Sequence, residues 1–519
     1  DGTILTSDID INNRWQTYFD ELLNETNPIN ADFQAERVEG PISMIDVHEI
    51  ENAIKSMKKG KAPGPSCLSA DIIAASGKTG FEHFTQIVQK FWKTGILPRQ
   101  WLSSITVPIY KGKGDALDCT SYRGIRLLEH SLKIVERILY NRLVNIINIG
   151  AYQFGFRAGK STTDAIFIMR QLQEKYKAKN KQLHHIFVDL EKSFDRVARV
   201  SIQWALRRQL VPEALIQLVM ATYNDPRTTV STSRGKSTDF AINVGVHQGS
   251  ILSPLLFITI MEELTKHIRN NNVYDLAYAD DIVLTDISED GVHNMFALWK
   301  NQLSDFGFKI NIAKTKHMIT GDTVMHQSMT KWPCSVFKKR VGNNSILCTQ
   351  CQLWCHKRCS KTKVPLSAIN NFVCPTCIAP TIVTQPIREQ NINGIETIQK
   401  FTYLGDTLDV TGNAETAART RISAAWFKYR QLSSILCRRD VPVSLRCKLY
   451  GSVIRPVMLY GAETWATTQA IENQIIRTDR KMLRWIHRIS LKEHMSASDI
   501  LERSCLCDIK DVLARHRLR

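Results

Sequence analysis

The residues with the most evident chemical potential are three aspartates at the ends of apolar runs. His185-Ile-Phe-Val-Asp189 is a short β-forming run closing on an acid, and Leu276-Ala-Tyr-Ala-Asp280-Asp281-Ile-Val-Leu284 is two such runs separated by two aspartates. Two polar residues between β-forming runs signal a hairpin turn, which puts Asp280 and Asp281 at a loop tip where an acid closing a neighbouring strand can lie beside them. Oxygen ligands gathered in this way suit two magnesium ions roughly 4 Å apart, the arrangement that steadies the attacking and leaving oxygens of a phosphoryl transfer. Acids serve hard cations better than imidazole or thiolate. An isolated Asp-Asp pair is most often a solvated turn, so the argument rests on its company.

That company is ordered. Phe187-Val-Asp189-Leu-Glu-Lys-Ser-Phe194-Asp195 is followed by Gly245-Val-His-Gln-Gly249-Ser-Ile-Leu-Ser-Pro254, and about thirty residues later by Tyr278-Ala-Asp280-Asp281. In this combination the chain resembles the reverse transcriptases of non-long-terminal-repeat retrotransposons. The resemblance implies an α+β right-hand polymerase with fingers, palm and helical thumb, copying an RNA template from a DNA primer with deoxynucleoside triphosphates and two Mg2+ ions. It makes Asp189 and Asp280 the principal metal ligands and Asp281 the third carboxylate. Asp195 is instead an acid at a helix start, where the dipole favours it. Phe194 takes the place of an aromatic ring beneath the incoming sugar, where a 2′-hydroxyl would clash, and Gln248-Gly249 lies along template and nucleotide. Lys111 or Lys113, together with Arg123, resembles the finger residues that hold the triphosphate. Arg157, in Gln153-Phe-Gly-Phe-Arg157, is expected to touch template or phosphate, and Lys314, chosen over Lys316, to approach the departing pyrophosphate. Phe401-Thr-Tyr-Leu404-Gly405 resembles the primer grip, and Arg455 to Trp465 a thumb segment. Two positions depart from the family's habit, His247 and Gly124, each standing where proline is usual.

A second constellation is made of sulfur. Cys348-x2-Cys351, His356-x2-Cys359 and Cys374-x2-Cys377 follow an isolated Cys334, a spacing that scattered structural cysteines would rarely produce and that suits zinc. The order resembles a PHD-type finger with two interleaved sites. On that pattern Cys348, Cys351, Cys374 and Cys377 complete one Zn2+ site. Cys334, His356 and Cys359 form another that lacks its fourth thiol, because Phe337 stands at that place, with Cys355 as a substitute. One Zn2+ is therefore expected, with the second site incomplete.

The whole chain must position these groups. Its 519 residues suggest about three units. A net charge of +18 from 68 Lys and Arg favours phosphate backbones as partners. The longest apolar run, Ile251 to Met261, is broken by Ser253 and Pro254 and falls short of the ~18 residues a membrane span needs. Of 13 cysteines, seven lie between Cys334 and Cys377, which points to metal ligation in a reducing compartment and to the nucleus or cytoplasm. The expected organisation is a linker over 1–40, fingers and palm over 41–320, the zinc insertion over 322–382, the primer-grip region over 395–414 and the thumb over 415–519. A helix through Val47, Ile50, Ile54 and Met57 should stop before Gly60, and Phe401 to Leu408 should be a strand. Since the sequence begins with Asp1 rather than methionine, it reads as part of a longer frame. The competing functions are a degenerate element that only binds nucleic acid, an RNA-dependent RNA polymerase, disfavoured by Phe194, and a zinc-finger binding module.

Overall fold

The structure, a computed structural model, describes residues 4–25, 28–269, 274–321, 345–349, 354–360, 372–375 and 394–517. Cys334, Phe337, Cys351 and Cys377 lie outside the described residues. At the centre is a five-stranded sheet ordered Glu396–Thr397, Lys316–Thr320, Leu183–Val188, Asp281–Asp286, Leu276–Tyr278. Its middle strand is buried along its whole length, which explains why Leu183–Val188 contains no solvent-facing alternation. Ile186 and Val188 enter the main core, beside Val292 and Phe296 of the helix Glu289–Asp305. Phe187 points the other way, into a smaller cluster with Met318 and Tyr403. Asp189 follows directly at the end of this doubly covered strand.

The hairpin carrying the paired aspartates forms one residue earlier than the sequence suggests. Tyr278 pairs with Asp281, so Ala279 and Asp280 make the turn and Asp281 opens the returning strand. The apolar run from Ile251 is the helix Ser253–Thr265, started by Pro254 in its first turn and buried on nearly every side.

A second sheet pairs Ser103–Tyr110 with Tyr122–Leu128 and with Arg227–Thr232. The stretch 1–40, expected to be a linker, includes the helix Asp8–Asn24 docked on this sheet, with Phe19 and Leu23 buried against Val230, Phe240 and Ile242. Its sequence is polar because only one stripe is covered. The same contact accounts for Gly124, since a Cβ there would lie 2.6 Å from the Phe19 ring. The helix Val47–Lys55 matches expectation, capped by Asp46 accepting from the Glu49 N–H.

The C-terminal unit is helical. Gln469–His487 buries Ile471, Ile475, Met482 and Ile486, and Glu415–Gln431 buries Ala417, Ala418, Ile422, Ala425 and Tyr429, all in one cluster. Arg455 and Asp479 form a buried ion pair at 2.8 Å, to which Tyr450 donates a further hydrogen bond at 2.7 Å. The expected strand 401–408 is instead a hairpin, Lys400–Tyr403 with Asp406–Asp409, reversed at Leu404 and Gly405, both with positive φ. The insertion departs from the palm after Thr320 and the chain returns to the palm sheet's edge, where Glu396 pairs with Lys316. Its described residues include the hairpin Ser345–Leu347 with Trp354–His356 and the turn of helix Lys357–Ser360. No helix among the described residues is long and apolar enough to cross a membrane.

Candidate active site

Asp189, Asp280 and Asp281 converge at one end of the palm sheet. Val188 pairs with Ile282, which sets the end of the middle strand beside the start of the returning one. Asp189 Oδ2 is buried without a hydrogen-bond partner among the described residues, and Lys314 Nζ approaches it to 3.5 Å. Asp280 accepts a hydrogen bond from Ser193 Oγ at 2.7 Å. Asp281 is exposed as a residue, yet partial desolvation of its carboxyl, reinforced by the charges of Asp280 and Asp189, pushes its pKa up to about 6. Three carboxylates crowded together, with Lys314 paired to Asp189, offer the hard oxygen donors that divalent magnesium prefers. Beside them is a cavity of about 310 Å³ lined in part by Phe187, Asp189, Asp281, Lys314, Phe401 and Tyr403.

The backbone that presents Asp280 is held from outside its own hairpin. Ala279 has φ +58°, a left-handed conformation uncommon for a residue with a Cβ. Gln153, fully buried, accepts from the Ala279 N–H at 2.8 Å and from the Gly155 N–H at 2.8 Å, while its amide donates to the Ala279 carbonyl at 3.4 Å. Gly155 lies so close that a Cβ would meet the Ala279 nitrogen at 2.3 Å. Asp189 is fixed comparably, by Asn311 N–H donating to its carbonyl at 2.8 Å and its own N–H reaching Thr315 Oγ1 at 3.4 Å.

Around the carboxylates, cations gather on one side. Lys111 is held below its usual range by partial burial, then by the positive charges of Arg123, Lys314, Lys192 and Lys113. Such crowding is tolerable when an anion completes it, and a triphosphate is the natural complement. Lys192 did not emerge from the sequence. Its signal is the position itself, three residues after Asp189 and two before Phe194, with φ +49°. Of the two lysines weighed for the pyrophosphate, Lys316 is engaged by Glu396 and the Ala313 carbonyl, both at 2.6 Å, and Lys314 faces Asp189. Arg157 donates to the carbonyls of Gly150 and Gln153 at 2.7 and 3.3 Å, so its guanidinium braces its own loop.

Phe194 stacks on Phe257 with ring centres 4.4 Å apart and meets Phe156 edge-on at 6.1 Å. The ring is half-buried, backed by the core and open on one side. Gln248 donates to both oxygens of Asp195 at 2.7 and 2.8 Å. Asp195 lies in a short 3-10 turn, Ser193–Arg196, and burial raises its carboxyl against the pull of the buried Arg126. Gly249, at φ +89°, passes so near that strand that a Cβ would lie 2.8 Å from the Arg126 carbonyl. His247 packs on Tyr223 with centroids 4.5 Å apart, and burial holds its pKa far below the usual range, so it acts as an uncharged core ring. Both departures from proline, His247 and Gly124, are thus absorbed by packing.

The hairpin at 400–409 is pinned beneath the aspartates. Phe401 stacks on Phe187 at 4.2 Å. Asp406, fully buried, takes Arg170 at 2.9 Å and the Trp465 indole N–H at 3.2 Å, and Tyr460 donates to the Leu404 carbonyl at 2.8 Å. Further along, Arg419, Trp426, Arg430, Arg477, Lys481 and Trp485 line a groove of about 720 Å³ between the helices Glu415–Gln431 and Gln469–His487. Lys481 Nζ stands over both indoles, 5.6 and 5.7 Å from their centroids. Aromatic faces among cations suit nucleic acid.

In the insertion, Cys348, Cys355 and Cys374 share a small buried cluster with Phe372, and the Cys374 N–H donates to Cys348 Sγ at 3.3 Å. His356 Nδ1 lies 3.8 Å from Cys359 Sγ. Alternation along Trp354–His356 directs Cys355 away from His356.

A palm sheet that brings three carboxylates to one end, beside a ring of cations and a stacked phenylalanine, defines a nucleotidyl-transferring polymerase core. Residues 109–406 match the reverse transcriptase (RNA-dependent DNA polymerase) family, and the chain belongs to it. It is similar to a transposon X-element protein of Drosophila melanogaster, 22% identical over 467 residues covering 86% of this chain and 45% of the relative. It is also similar to the RNA-directed DNA polymerase from mobile element jockey of the same fly, 24% identical over 82% of this chain and 42% of the relative. A Pol polyprotein from the type-1 retrotransposable element R2 of Nasonia vitripennis is 26% identical over 52% of this chain and 26% of its own length. The chain therefore spans less than half of each of these relatives.

Proposed function

We propose that this chain is the RNA-directed DNA polymerase of a non-long-terminal-repeat retrotransposon, extending a DNA primer on an RNA template. The observation that carries the reading is the convergence of Asp189, Asp280 and Asp281 beside the cations that crowd Lys111. Two Mg2+ ions, held by the three aspartates, would supply charge stabilisation to the attacking and leaving oxygens. Asp189, with its orphaned oxygen, and Asp280, steadied by Ser193, are the principal ligands. Lys111, Arg123 and Lys192 neutralise the triphosphate, and Lys314 meets the charge that develops on the leaving pyrophosphate. Phe194, backed by Phe257, cannot retreat from an added 2′-hydroxyl, which favours deoxynucleotides. Gln248, tethered to Asp195, and Gly249 line the template side. The hairpin at 400–409 holds the primer end, and the Trp426, Lys481 and Trp485 groove grips nucleic acid behind it.

The insertion is proposed to hold Zn2+ through Cys348, Cys351, Cys374 and Cys377. A backbone N–H aimed at Cys348 Sγ is what a ligating thiolate accepts, and this supports the site. Cys334, His356 and Cys359 make an incomplete second set, with Cys355, buried in the cluster against which Cys359 packs, as the candidate substitute for its fourth ligand. Primer extension on RNA, with deoxynucleotides against ribonucleotides, tests the polymerase reading. Preference for ribonucleotides, or binding without extension, would refute it. Zinc content after dialysis against a mild chelator tests the insertion, where Cys348→Ser is expected to hold one zinc per chain fewer than the unaltered chain.

A further inference from the structure

The palm sheet has a second cluster of potential ligands, on the face opposite Phe187 and Met318. His317 pairs with Ile186 across two strands and so shares the face that the helix Glu289–Asp305 covers. Glu289 and His293 lie one turn apart on that helix and therefore project together toward the sheet. Each of Glu289, His293 and His317 offers a ligand atom, and the three atoms lie within 4.8 Å of one another. The His293 ring meets His317 edge-on, with centroids 5.2 Å apart.

The most telling member is His293. It is 8% exposed, yet neither ring nitrogen has a hydrogen-bond partner among the described residues. A buried imidazole left so is costly. His184 Nδ1 lies 3.3 Å from His317 Nε2, and the Thr397 hydroxyl lies 3.5 Å from His317 Nδ1, so a cation taken by His317 would displace that hydroxyl. A polar neighbour on one nitrogen is what orients a ligating imidazole.

We propose that Glu289, His293 and His317 form a divalent zinc-class site that ties the helix to the palm sheet behind the catalytic strand, with His184 orienting His317. Two imidazoles and one carboxylate suit zinc and not magnesium, which takes oxygens. Ligand atoms in a zinc tetrahedron are roughly 3.3 Å apart for bonds of ~2.0 Å, so side-chain adjustments of about 1 Å close the set. Glu289 is half-buried, leaving a fourth position open to water.

The test uses the full chain with Cys348→Ser and Cys374→Ser, which removes the insertion's proposed complete site without touching this cluster. Zinc per chain is measured after dialysis against a mild chelator, and the melting temperature with and without added Zn2+. The expected result is one retained zinc and a zinc-dependent rise in melting temperature, both lost in Glu289→Gln and in His293→Gln. If His293→Gln does not fold, Glu289→Gln at its half-exposed position decides alone. Zinc content and melting behaviour that do not change in Glu289→Gln would overturn the proposal, as would a parent chain that retains no zinc.

Discussion

Replacing Gln153 by alanine should damage catalysis more than stability or substrate binding. In the folded chain the Gln153 carbonyl satisfies two buried N–H groups, those of Ala279 and Gly155, each at 2.8 Å. Truncation leaves both unpaired, and an orphaned buried N–H costs ~1–3 kcal/mol, so the unrelaxed loss is on the order of 2–6 kcal/mol. The turn will relax instead. Ala279 holds a left-handed conformation only because its surroundings impose it, and when the clamp goes the Asp280 carboxylate moves with the turn. A shift of ~1 Å at a reacting centre costs on the order of 100-fold in rate. We therefore expect kcat to fall roughly 10- to 100-fold in Gln153→Ala, with the KM for deoxynucleotide changed by less than about threefold, because Lys111, Arg123 and Lys192 lie elsewhere. Gln153→Glu should recover part of the loss, since a carboxylate still accepts from both N–H groups but cannot donate to the Ala279 carbonyl. The assay is steady-state primer extension with melting temperature measured in parallel. A kcat within about twofold of the parent, or a loss confined to KM, would refute the positioning argument.

Phe194→Ala should open space beneath the sugar and raise ribonucleotide use relative to deoxynucleotide use at least several-fold, and an unchanged ratio would return Phe194 to the role of a core ring stacked on Phe257. Magnesium binding should weaken with acidity. Partial desolvation and the charges of Asp280 and Asp189 raise the Asp281 carboxyl to about 6, so below that pH a proton must leave before the cation binds. The Mg2+ concentration for half-maximal extension should then climb up to about tenfold per pH unit below about 6, and a flat dependence between pH 5 and 7 would contradict it. Primer-template affinity should fall steeply with salt, with a log–log slope of about −0.9 per phosphate contact on B-form duplex. Removing Lys481 or Arg477 should lessen that slope by about one, whereas an unaltered slope would take the thumb groove out of contact with the backbone.

How much of this was legible depended on where each residue's partners lie in the chain. Asp189, Asp280 and Asp281 could be found because metal chemistry restricts residue type and strand ends restrict position. Gln153 could not, because its role is to bond a backbone 126 residues away, and nothing local in Gln153-Phe-Gly records that contact. Lys192 was hidden among 68 basic residues until folding placed it beside Lys111. Gly405 signalled the reversal in the hairpin at 400–409, but the apolar residues on both sides read as one strand. The helix Asp8–Asn24 looked like linker because it covers the second sheet with only one narrow stripe, Trp15, Phe19 and Leu23. Gly124 and His247 stood out as departures from proline, and only packing against Phe19 and Tyr223 shows what they accommodate.

The most direct test of the account is magnesium-dependent extension of a DNA primer on an RNA template by the parent chain and by Asp189→Asn and Asp280→Asn. The parent should extend with deoxynucleotides, and each variant should fall to background while binding primer-template within a few-fold of the parent, because the loss lies in metal ligation at the transition state. Extension by both variants at a rate near the parent's would place the chemistry elsewhere and contradict the account.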